Sequence, residues 1–352
     1  MTAEDNSTID EVLAQYDVRR NAVERAGHGL INDTWIVTGG DGQRAVLQRL
    51  HPAIDATANA RINRLAERLS VHGLVSPRVI ETSTGALDVP TESGVWRMLT
   101  WIDGQTCTTV ENGHRAAEAG RMLGAFHSAL RDPEAMGVLP HSTTHSLSRH
   151  LDVLRDALRE HAAHAHIDRI QTLSERIFAA ADALEPVPPT PLRIVHGDPK
   201  ISNFLFDRSG RAICLVDLDT IALMPLPFEL GDAFRSWCNP AGEDTEATGF
   251  SLALFESAVG GYASVARSLI SDAEIRGIVP ATETIFVELA ARFCADALRE
   301  SYFGWDPARY PSRSEHNRVR ATGQINAALA LSQQRRTATQ VVAGVFAPLH
   351  GE

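Results

Sequence analysis

Three polar residues near the middle of the sequence have the types and spacing that phosphoryl transfer requires. Asp198 stands in a His-x-Asp arrangement with His196, and Asn203 follows five residues after Asp198. Asp217 directly follows a short apolar run, residues 212–216. The reaction needs one carboxylate that faces the acceptor hydroxyl. It also needs an oxygen ligand and a second carboxylate that hold Mg²⁺ against the nucleotide phosphates. The pattern therefore indicates a phosphotransferase site.

The same residue types also have a purely structural explanation, because Asp and Asn often cap the backbone in turns. The surroundings favour the catalytic interpretation. The loop that carries Asp198 and Asn203 lies between two short apolar strands, and Asp217 belongs to a Val-Asp-Leu-Asp run after a third. Such a context makes a chance match much rarer than the three positions alone would be.

The first hundred residues read mainly as strands and turns. Two strand-like runs, residues 34–38 and 44–49, flank the glycine-rich turn at residues 39–42, which is typical of a hairpin. Apolar residues at helical spacing predict a helix over residues 56–71. Further short strands are expected over residues 75–80, 85–89 and 95–102.

From residue 111 onward the pattern becomes helical, with apolar residues at steps of three and four. Four prolines between residues 186 and 191 end this stretch, and short strands follow around the Asp198 loop. The sequence therefore predicts an α+β fold with a small β-rich N-terminal lobe and a larger, mostly helical C-terminal lobe. Helices are expected around residues 116–130, 148–159 and 167–184.

Composition narrows the class of protein. The 352 residues carry a formal net charge of −11 at pH 7, which argues against non-specific binding to nucleic acid. No run approaches the roughly 20 apolar residues that span a bilayer, and residues 1–10 lack the pattern of a secretory signal. The four cysteines form no CxxC pair, so a zinc or disulfide framework is not expected. We expect a cytoplasmic protein without nucleic-acid or membrane partners, of undetermined oligomeric state.

The run from His196 to Asn203, with Asp217 downstream, resembles the catalytic loop of the aminoglycoside phosphotransferase and choline kinase superfamily. The resemblance spans about residues 26–324 and is closest to the N-acetylhexosamine 1-kinases. It implies a bilobal protein-kinase-like fold that uses ATP and Mg²⁺ as cofactors. Residues 1–101 would form the nucleotide-binding lobe, and residues 102–352 the catalytic and acceptor-binding lobe. The closer likeness is carried by residues 29–35, 46–50 and 316–321.

By this resemblance, Asp198 is the catalytic base or positions the acceptor hydroxyl, and Lys200 neutralises charge on the transferring phosphoryl group. Asn203 and Asp217 bind Mg²⁺. His196 braces the loop through hydrogen bonds rather than transferring protons.

The nucleotide-binding residues implied by the resemblance include one departure from the kinase pattern. The third strand normally carries a Lys that pairs with the phosphates, but the inward position here is Gln48, with Arg49 on the opposite face of a regular strand. Either Gln48 binds the phosphates and Mg²⁺ carries the charge, or Arg49 reaches in across a bulge. The adenine would be held by backbone groups of residues 100–102. The full set is Gly29, Asn32, Thr34, Gln48, Arg49, Thr100 and Ile102.

The acceptor site is expected in the helical lobe. A sugar is held by carboxylates and amides on its hydroxyls and by an aromatic ring against its apolar face, although each such residue taken singly is as well explained by ordinary packing. The candidates are Arg292, Asp296, Trp305, Asp306, Asn317 and Arg320.

Three functions stay open at this point. The first is transfer of the ATP γ-phosphate to a hydroxyl of an amino sugar or N-acetylhexosamine, with the anomeric hydroxyl as one candidate. The second is an aminoglycoside or small amino-alcohol kinase. The third, from another class, is a catalytically weak pseudokinase that serves as a scaffold, for which the missing third-strand Lys is the only argument.

Overall fold

The computed structural model describes residues 3–26, 32–52, 54–55, 57–132 and 136–348. It divides the chain into two compact units, Met1–Asp103 and Gly104–Glu352. The first unit is built on a sheet and the second is mainly helical, so the predicted α+β class is confirmed. No helix among the described residues is both long and apolar enough to cross a membrane.

The elements of the first unit in chain order are α1 (Ala3–Ala14), β1 (Arg20–Arg25), β2 (Asp33–Gly39), β3 (Arg44–Arg49), α2 (Ala58–Val71), β4 (Val79–Ile80), β5 (Val89–Thr91) and β6 (Gly94–Thr100). The strands form one antiparallel sheet with the order β1-β2-β3-β6-β4, and β5 pairs with β6. The predicted hairpin is present as β2 and β3.

One face of this sheet is covered by α1, which the sequence analysis missed. The helix places Ile9, Val12 and Leu13 in a buried core against sheet residues that include Trp35 and Trp96. The rings of these two tryptophans stack with centroids 5.0 Å apart. Ile9, Val12 and Leu13 have the i, i+3, i+4 spacing of a helix. The residues before Ile9 are almost all polar, so the apolar pattern is too short to predict the helix from the sequence.

Strand β1 and the position of β5 also differ from the prediction. β1 is largely exposed, so it lacks the apolar alternation by which strands are recognised. The strand expected over residues 85–89 begins only at Val89, because the preceding residues form a turn. In this turn the backbone N–H of Thr82 donates to the carbonyl of Ala86, and Gly85 has a φ of +83°.

The second unit comprises α3 (Gly113–Ala129), α4 (Leu147–Glu160), α5 (Ile167–Asp182), β7 (Leu192–Val195), β8 (Phe204–Phe206), β9 (Ala212–Leu215), β10 (Ala222–Pro225), α6 (Leu226–Trp237), α7 (Leu252–Ala266), α8 (Asp272–Arg299) and α9 (Arg313–Phe346). Its strands form two small antiparallel pairs, β7 with β10 and β8 with β9. The long helix α8 packs against α4, α5, α6 and α9, and α3 packs against α7.

Candidate active site

The loop between β7 and β8 carries the predicted catalytic residues, and α6 holds it in place. The indole N–H of Trp237 donates to the carbonyl of Pro199 at 2.9 Å. The backbone N–H of Ile201 donates to Ser236 Oγ at 3.1 Å. Because both contacts come from the last turn of α6, the conformation of the loop depends on a helix that follows it by more than twenty residues.

Asp198, Lys200 and Asn203 converge on one carboxylate oxygen. Lys200 Nζ lies 2.5 Å from Asp198 Oδ2, and Asn203 Nδ2 donates to the same oxygen at 3.2 Å and to the Asp198 carbonyl at 2.8 Å. Asp198 Oδ1 has no hydrogen bond within the described part of the chain. One oxygen therefore anchors the carboxylate, while the other can face an acceptor hydroxyl.

The charge of Lys200 is set by its acidic neighbours. Burial alone would lower the pKa of Lys200, but the carboxylates of Asp198, Asp217 and Asp232 raise it above the ordinary value. The side chain therefore stays cationic at neutral pH. A cation at this place can offset negative charge on a phosphoryl group.

His196 connects the two acidic segments of the site. Its side chain is buried, Nε2 donates to the carbonyl of Val216 at 2.9 Å, and Nδ1 accepts the backbone N–H of Asp198 at 3.4 Å. Both ring nitrogens are thus engaged with backbone groups that adjoin Asp198 and Asp217. The contacts favour a bracing role over proton transfer.

Glu229 is a site residue that the sequence analysis did not identify. This fully buried carboxylate accepts the backbone N–H of His196 at 2.8 Å and that of Gly197 at 3.0 Å. Gly197 has a φ of +86°, and a Cβ at this position would lie 2.3 Å from the carbonyl oxygen of Thr220. The loop thus enters the site in a conformation that requires glycine and a buried acceptor.

Asp217 directly follows β9 in a left-handed backbone conformation, with φ 64° and ψ 59°. For a residue other than Gly this conformation is strained, and such strain is often found at functional sites. The side chain is half-buried and has no hydrogen bond or ion pair within the described residues. Burial raises the pKa of Asp217 and Lys200 opposes this, while Asp198 and Asp219 raise it further.

The residues present fit a magnesium ion. The amide nitrogen of Asn203 donates to Asp198, so its Oδ1 can bind a metal ion. The Asp217 carboxylate lies near the carboxylates of Asp198 and Asp219, and a bound cation would reduce the repulsion between these negative charges. Among the described residues, no group of three His, Cys, Asp or Glu side chains is arranged to hold a metal. Mg²⁺ does not need one, because it usually binds one or two protein oxygens together with substrate phosphates and water.

In the first unit, Gln48 and Arg97 lie directly opposite each other on β3 and β6. Arg97 donates through Nε and Nη2 to Gln48 Oε1 at 2.9 and 2.7 Å, and through Nη1 to Asn59 Oδ1 at 3.2 Å. Gln48 Nε2 donates in turn to Thr34 Oγ1 at 3.2 Å. Arg97 is only 1% exposed. In the sequence, Arg97 is the one charged residue in the otherwise apolar run of residues 95–99, and this feature could have marked it as the partner of a polar side chain.

Arg49 lies on the opposite face of β3. Its guanidinium pairs with Asp33 at 2.5 Å and lies over the ring of Trp96 at 5.7 Å. The pairing of β3 with β2 and with β6 is continuous over Arg44–Arg49, with no register shift. The strand therefore has no bulge that would bring Arg49 to the face of Gln48, and this register favours the alternative in which Gln48 contacts the phosphates.

The remaining nucleotide candidates are positioned as follows. Gly29 lies outside the described residues. Asn32 is buried, and its Oδ1 accepts the backbone N–H of His51 at 2.9 Å. The backbone N–H of Thr100 donates to the carbonyl of Arg78 at 2.9 Å. This N–H is therefore already engaged and is not free to donate to an adenine. The backbone N–H of Ile102 makes no hydrogen bond within the described residues.

Two of the acceptor candidates, Asp296 and Asn317, are engaged with the protein itself. Asp296 Oδ1 accepts the backbone N–H groups of Ser301 and Tyr302, at 3.0 and 2.8 Å. Its Oδ2 accepts the N–H of Phe303 and the amide of Asn317, both at 2.8 Å. These contacts tie the end of α8 to the following turn and to α9.

Arg320 and Asp306 are also engaged, whereas Arg292 and Trp305 are not. Arg320 donates to Asp244 Oδ1 and to the carbonyl of Gly304, both at 2.7 Å. Asp306 Oδ1 accepts the backbone N–H of Ala308 at 2.9 Å. Within the described chain, Arg292 and Trp305 form no hydrogen bond. The Arg292 guanidinium instead lies over the ring of Phe303, 5.5 Å from its centroid.

Comparison with known proteins identifies the family. Residues 22–266 match the sequence profile of the phosphotransferase enzyme family, APH. Among solved structures, the chain is similar to a microcompartment-associated aminopropanol kinase, with a TM-score of 0.63 and 15% identity over 95% of this chain and 98% of that one. It is similar to the amicoumacin kinase hAmiN in complex with AMP-PNP, Ca²⁺ and Ami (TM-score 0.61, 12% identity, 91% and 92% covered). It is also similar to choline kinase from Cryptosporidium parvum Iowa II (TM-score 0.59, 14% identity, 92% and 93% covered).

These structural likenesses establish the kinase-like fold, which confirms the predicted fold class. The match to the family profile covers more than half of the sequence and includes the whole loop from His196 to Asn203 and Asp217. The chain therefore belongs to the phosphotransferase enzyme family, APH.

Proposed function

We propose that the protein transfers the γ-phosphate of ATP to a hydroxyl group of an amino sugar or N-acetylhexosamine, with the anomeric hydroxyl as the first candidate. The observation that carries the proposal is the convergence of Lys200 and Asn203 on one oxygen of Asp198. This arrangement leaves a carboxylate oxygen for the acceptor beside a fixed cation.

In the proposed reaction, Asp198 orients the acceptor hydroxyl and accepts its proton. Lys200 offsets negative charge on the phosphoryl group. Asn203 Oδ1 and Asp217 would hold Mg²⁺, which when bound would neutralise charge on the nucleotide phosphates. The first unit binds the nucleotide, with Gln48 and Ile102 offering backbone or side-chain N–H groups. We expect the reaction to take place in the cytoplasm, where ATP is available.

The choice of acceptor rests on the likeness to N-acetylhexosamine 1-kinases at residues 29–35, 46–50 and 316–321. Arg292 and Trp305 add a hydrogen-bond donor and an aromatic ring that a sugar could use. The neighbours named for amicoumacin, aminopropanol and choline keep an aminoglycoside or amino-alcohol acceptor as the second candidate. A pseudokinase scaffold is disfavoured, because a scaffold has no need of the Asp198 arrangement.

The test is an acceptor panel. Purified protein is incubated with ATP and Mg²⁺ and with N-acetylhexosamines, hexoses, choline, homoserine or aminoglycosides, and ADP release is measured. NMR of the product identifies the phosphorylated hydroxyl. Turnover of an N-acetylhexosamine supports the proposal. Turnover restricted to choline or aminoglycosides would replace it with the second candidate, and ATP binding without turnover of any acceptor would favour the scaffold.

A further inference from the structure

A buried polar cluster in the helical unit is not explained by the catalytic loop. It consists of Glu288 on α8, His145 just before α4, and His150 on α4. His145 Nδ1 donates to Glu288 Oε1 at 3.0 Å, and His150 Nε2 lies 3.7 Å from the same oxygen. The side chains of Glu288 and His145 are only 2% and 6% exposed. The cluster is thus a carboxylate and an imidazole held together away from bulk solvent.

Two atoms of this cluster lack a partner. Glu288 Oε2 and His145 Nε2 are both buried, and neither has a hydrogen-bond partner within the described residues. A buried polar atom without a partner costs about 1–3 kcal/mol, and native structures leave few of them. His150, by contrast, is satisfied by the carbonyl of Thr144 at 2.8 Å. The carboxylate oxygen and the ring nitrogen are therefore open to polar groups that the described residues do not supply.

The cluster and the catalytic loop both contact the first turn of α6. The ring of His145 stacks on that of Phe228, with centroids 6.2 Å apart. The next residue, Glu229, accepts the backbone N–H groups of His196 and Gly197 at 2.8 and 3.0 Å. Neighbouring residues of one helix thus hold His145 and the loop that leads into Asp198.

The charges of the cluster limit what it can bind. Burial opposes protonation of His145, but the Glu288 hydrogen bond and Asp232 raise its pKa overall. Arg292, one helical turn after Glu288, has no hydrogen bond or ion pair in the described chain, and its charge acts on both histidines. A cationic amine attracted by Glu288 would thus meet the guanidinium of Arg292.

An uncharged hydroxyl suits the cluster better, because a hydroxyl can donate to a carboxylate and accept from an imidazole or a guanidinium at the same time. Two adjacent hydroxyls could satisfy Glu288 Oε2, His145 Nε2 and the free donors of Arg292 together. A quaternary ammonium group offers no N–H or O–H to any of them.

We propose that Glu288, His145 and Arg292 form an acceptor subsite that binds adjacent hydroxyl groups of an uncharged sugar and disfavours cationic acceptors. The proposal rests on the proposed sugar kinase activity and adds the residues that select the acceptor. His145 and Glu288 were not among the residues expected from the sequence.

The test compares Glu288→Gln and His145→Gln with the wild-type protein, using the sugar that is turned over best and its monodeoxy analogues. We expect the KM for the sugar to rise about 10- to 100-fold, as for loss of a hydrogen bond to a charged group, while the KM for ATP changes less than about two-fold. One deoxy analogue should be a poor substrate of the wild type, yet it should equal the parent sugar in the variant. A merely structural role would not produce this selective loss.

The matched control is Glu283→Gln on the same helix. This carboxylate is 1% exposed but pairs with Arg335, so the substitution reproduces a buried change in α8 away from the cluster. It should leave the KM for the sugar unchanged. Melting temperatures of all variants separate folding defects from binding defects. If the buried substitutions prevent folding, Arg292→Met at a half-buried position should raise the KM for the sugar and increase turnover of choline relative to sugar.

The outcomes distinguish the two proposals. If wild type phosphorylates a sugar but the variants keep the wild-type KM and deoxy selectivity, the subsite is refuted and the sugar kinase function stands. If wild type phosphorylates only cationic acceptors, both the function and the subsite are refuted.

Discussion

Arg97 holds the side-chain carbonyl of Gln48 through two nitrogens, at 2.9 and 2.7 Å, across the β3–β6 pair. The carbonyl oxygen of Gln48 is therefore occupied, and one N–H of its amide donates to Thr34 Oγ1 at 3.2 Å. In our proposal, the other N–H contacts the nucleotide. The position that carries a Lys in other kinases thus holds the neutral side chain of Gln48. The nearby positive charge is that of the buried Arg97, on the adjacent strand β6.

Gln48→Glu should reveal whether this face contacts the phosphates. The new carboxylate can pair with Arg97, so we expect little loss of thermal stability. The KM for ATP should rise by about 10-fold or more, because like charges brought together cost several kcal/mol. Arg49→Gln separates the two alternatives for the phosphate clamp. A comparable rise in its KM for ATP would show that Arg49 reaches the nucleotide after all.

Asp198→Asn should lower kcat by about 10²- to 10⁴-fold, the range for loss of a general base. The KM for ATP should change little, because Asp198 faces the acceptor in our proposal. Steady-state kinetics with a saturating acceptor measure both constants. A variant that retained the wild-type rate would remove Asp198 from the mechanism.

Glu229→Gln tests whether the buried carboxylate positions the catalytic loop. The amide has only one oxygen for the two N–H groups of His196 and Gly197, and its NH₂ group would face the other donor. We expect a loss of about 1–3 kcal/mol in the free energy of unfolding and a fall in kcat that exceeds any change in the KM for ATP. Glu256→Gln, at an exposed site on α7, is the control. Equal kinetics in both variants would contradict the positioning role.

Glu274 should make stability depend on acid pH. The side chain forms the capping box of α8 with Ser271 and pairs with Arg193 on β7 at 2.9 Å. Burial alone would raise the pKa of Glu274, but Arg193 and Ser271 lower it below the ordinary 4.5. The stabilisation is therefore complete above about pH 4.5, the value expected in the unfolded chain, and is lost as the pH falls through the lower folded value.

Glu274→Gln should consequently lower the melting temperature at pH 7 and remove part of the decrease seen on acidification. Melting curves between pH 7 and pH 3 measure both effects. Asp272→Asn, on the same first turn of α8, provides a comparison at an exposed carboxylate. If the wild type and Glu274→Gln lost stability in parallel below pH 4.5, the ion pair would contribute nothing to the pH dependence.

The local features of the site could be read from the sequence, because they depend on residues close together in the chain. Asp198, Lys200 and Asn203 meet within one loop, and the assignment of Gln48 and Arg49 to opposite faces needs only the two-residue period of a strand. The two-part organisation also followed from local patterns of strands and helices.

The contacts that hold the side chains of the site in place are visible only in the tertiary structure. Glu229 contacts a backbone 33 residues away, and Arg97 contacts Gln48 across 49 residues. No local pattern records such a pairing. Asp296, which was a candidate for binding the acceptor, accepts five hydrogen bonds from the protein. The sequence by itself thus determined which side chains could carry the chemistry. Only the fold decided which carboxylates are free to act, because a carboxylate is available only where tertiary contacts leave its oxygens without donors.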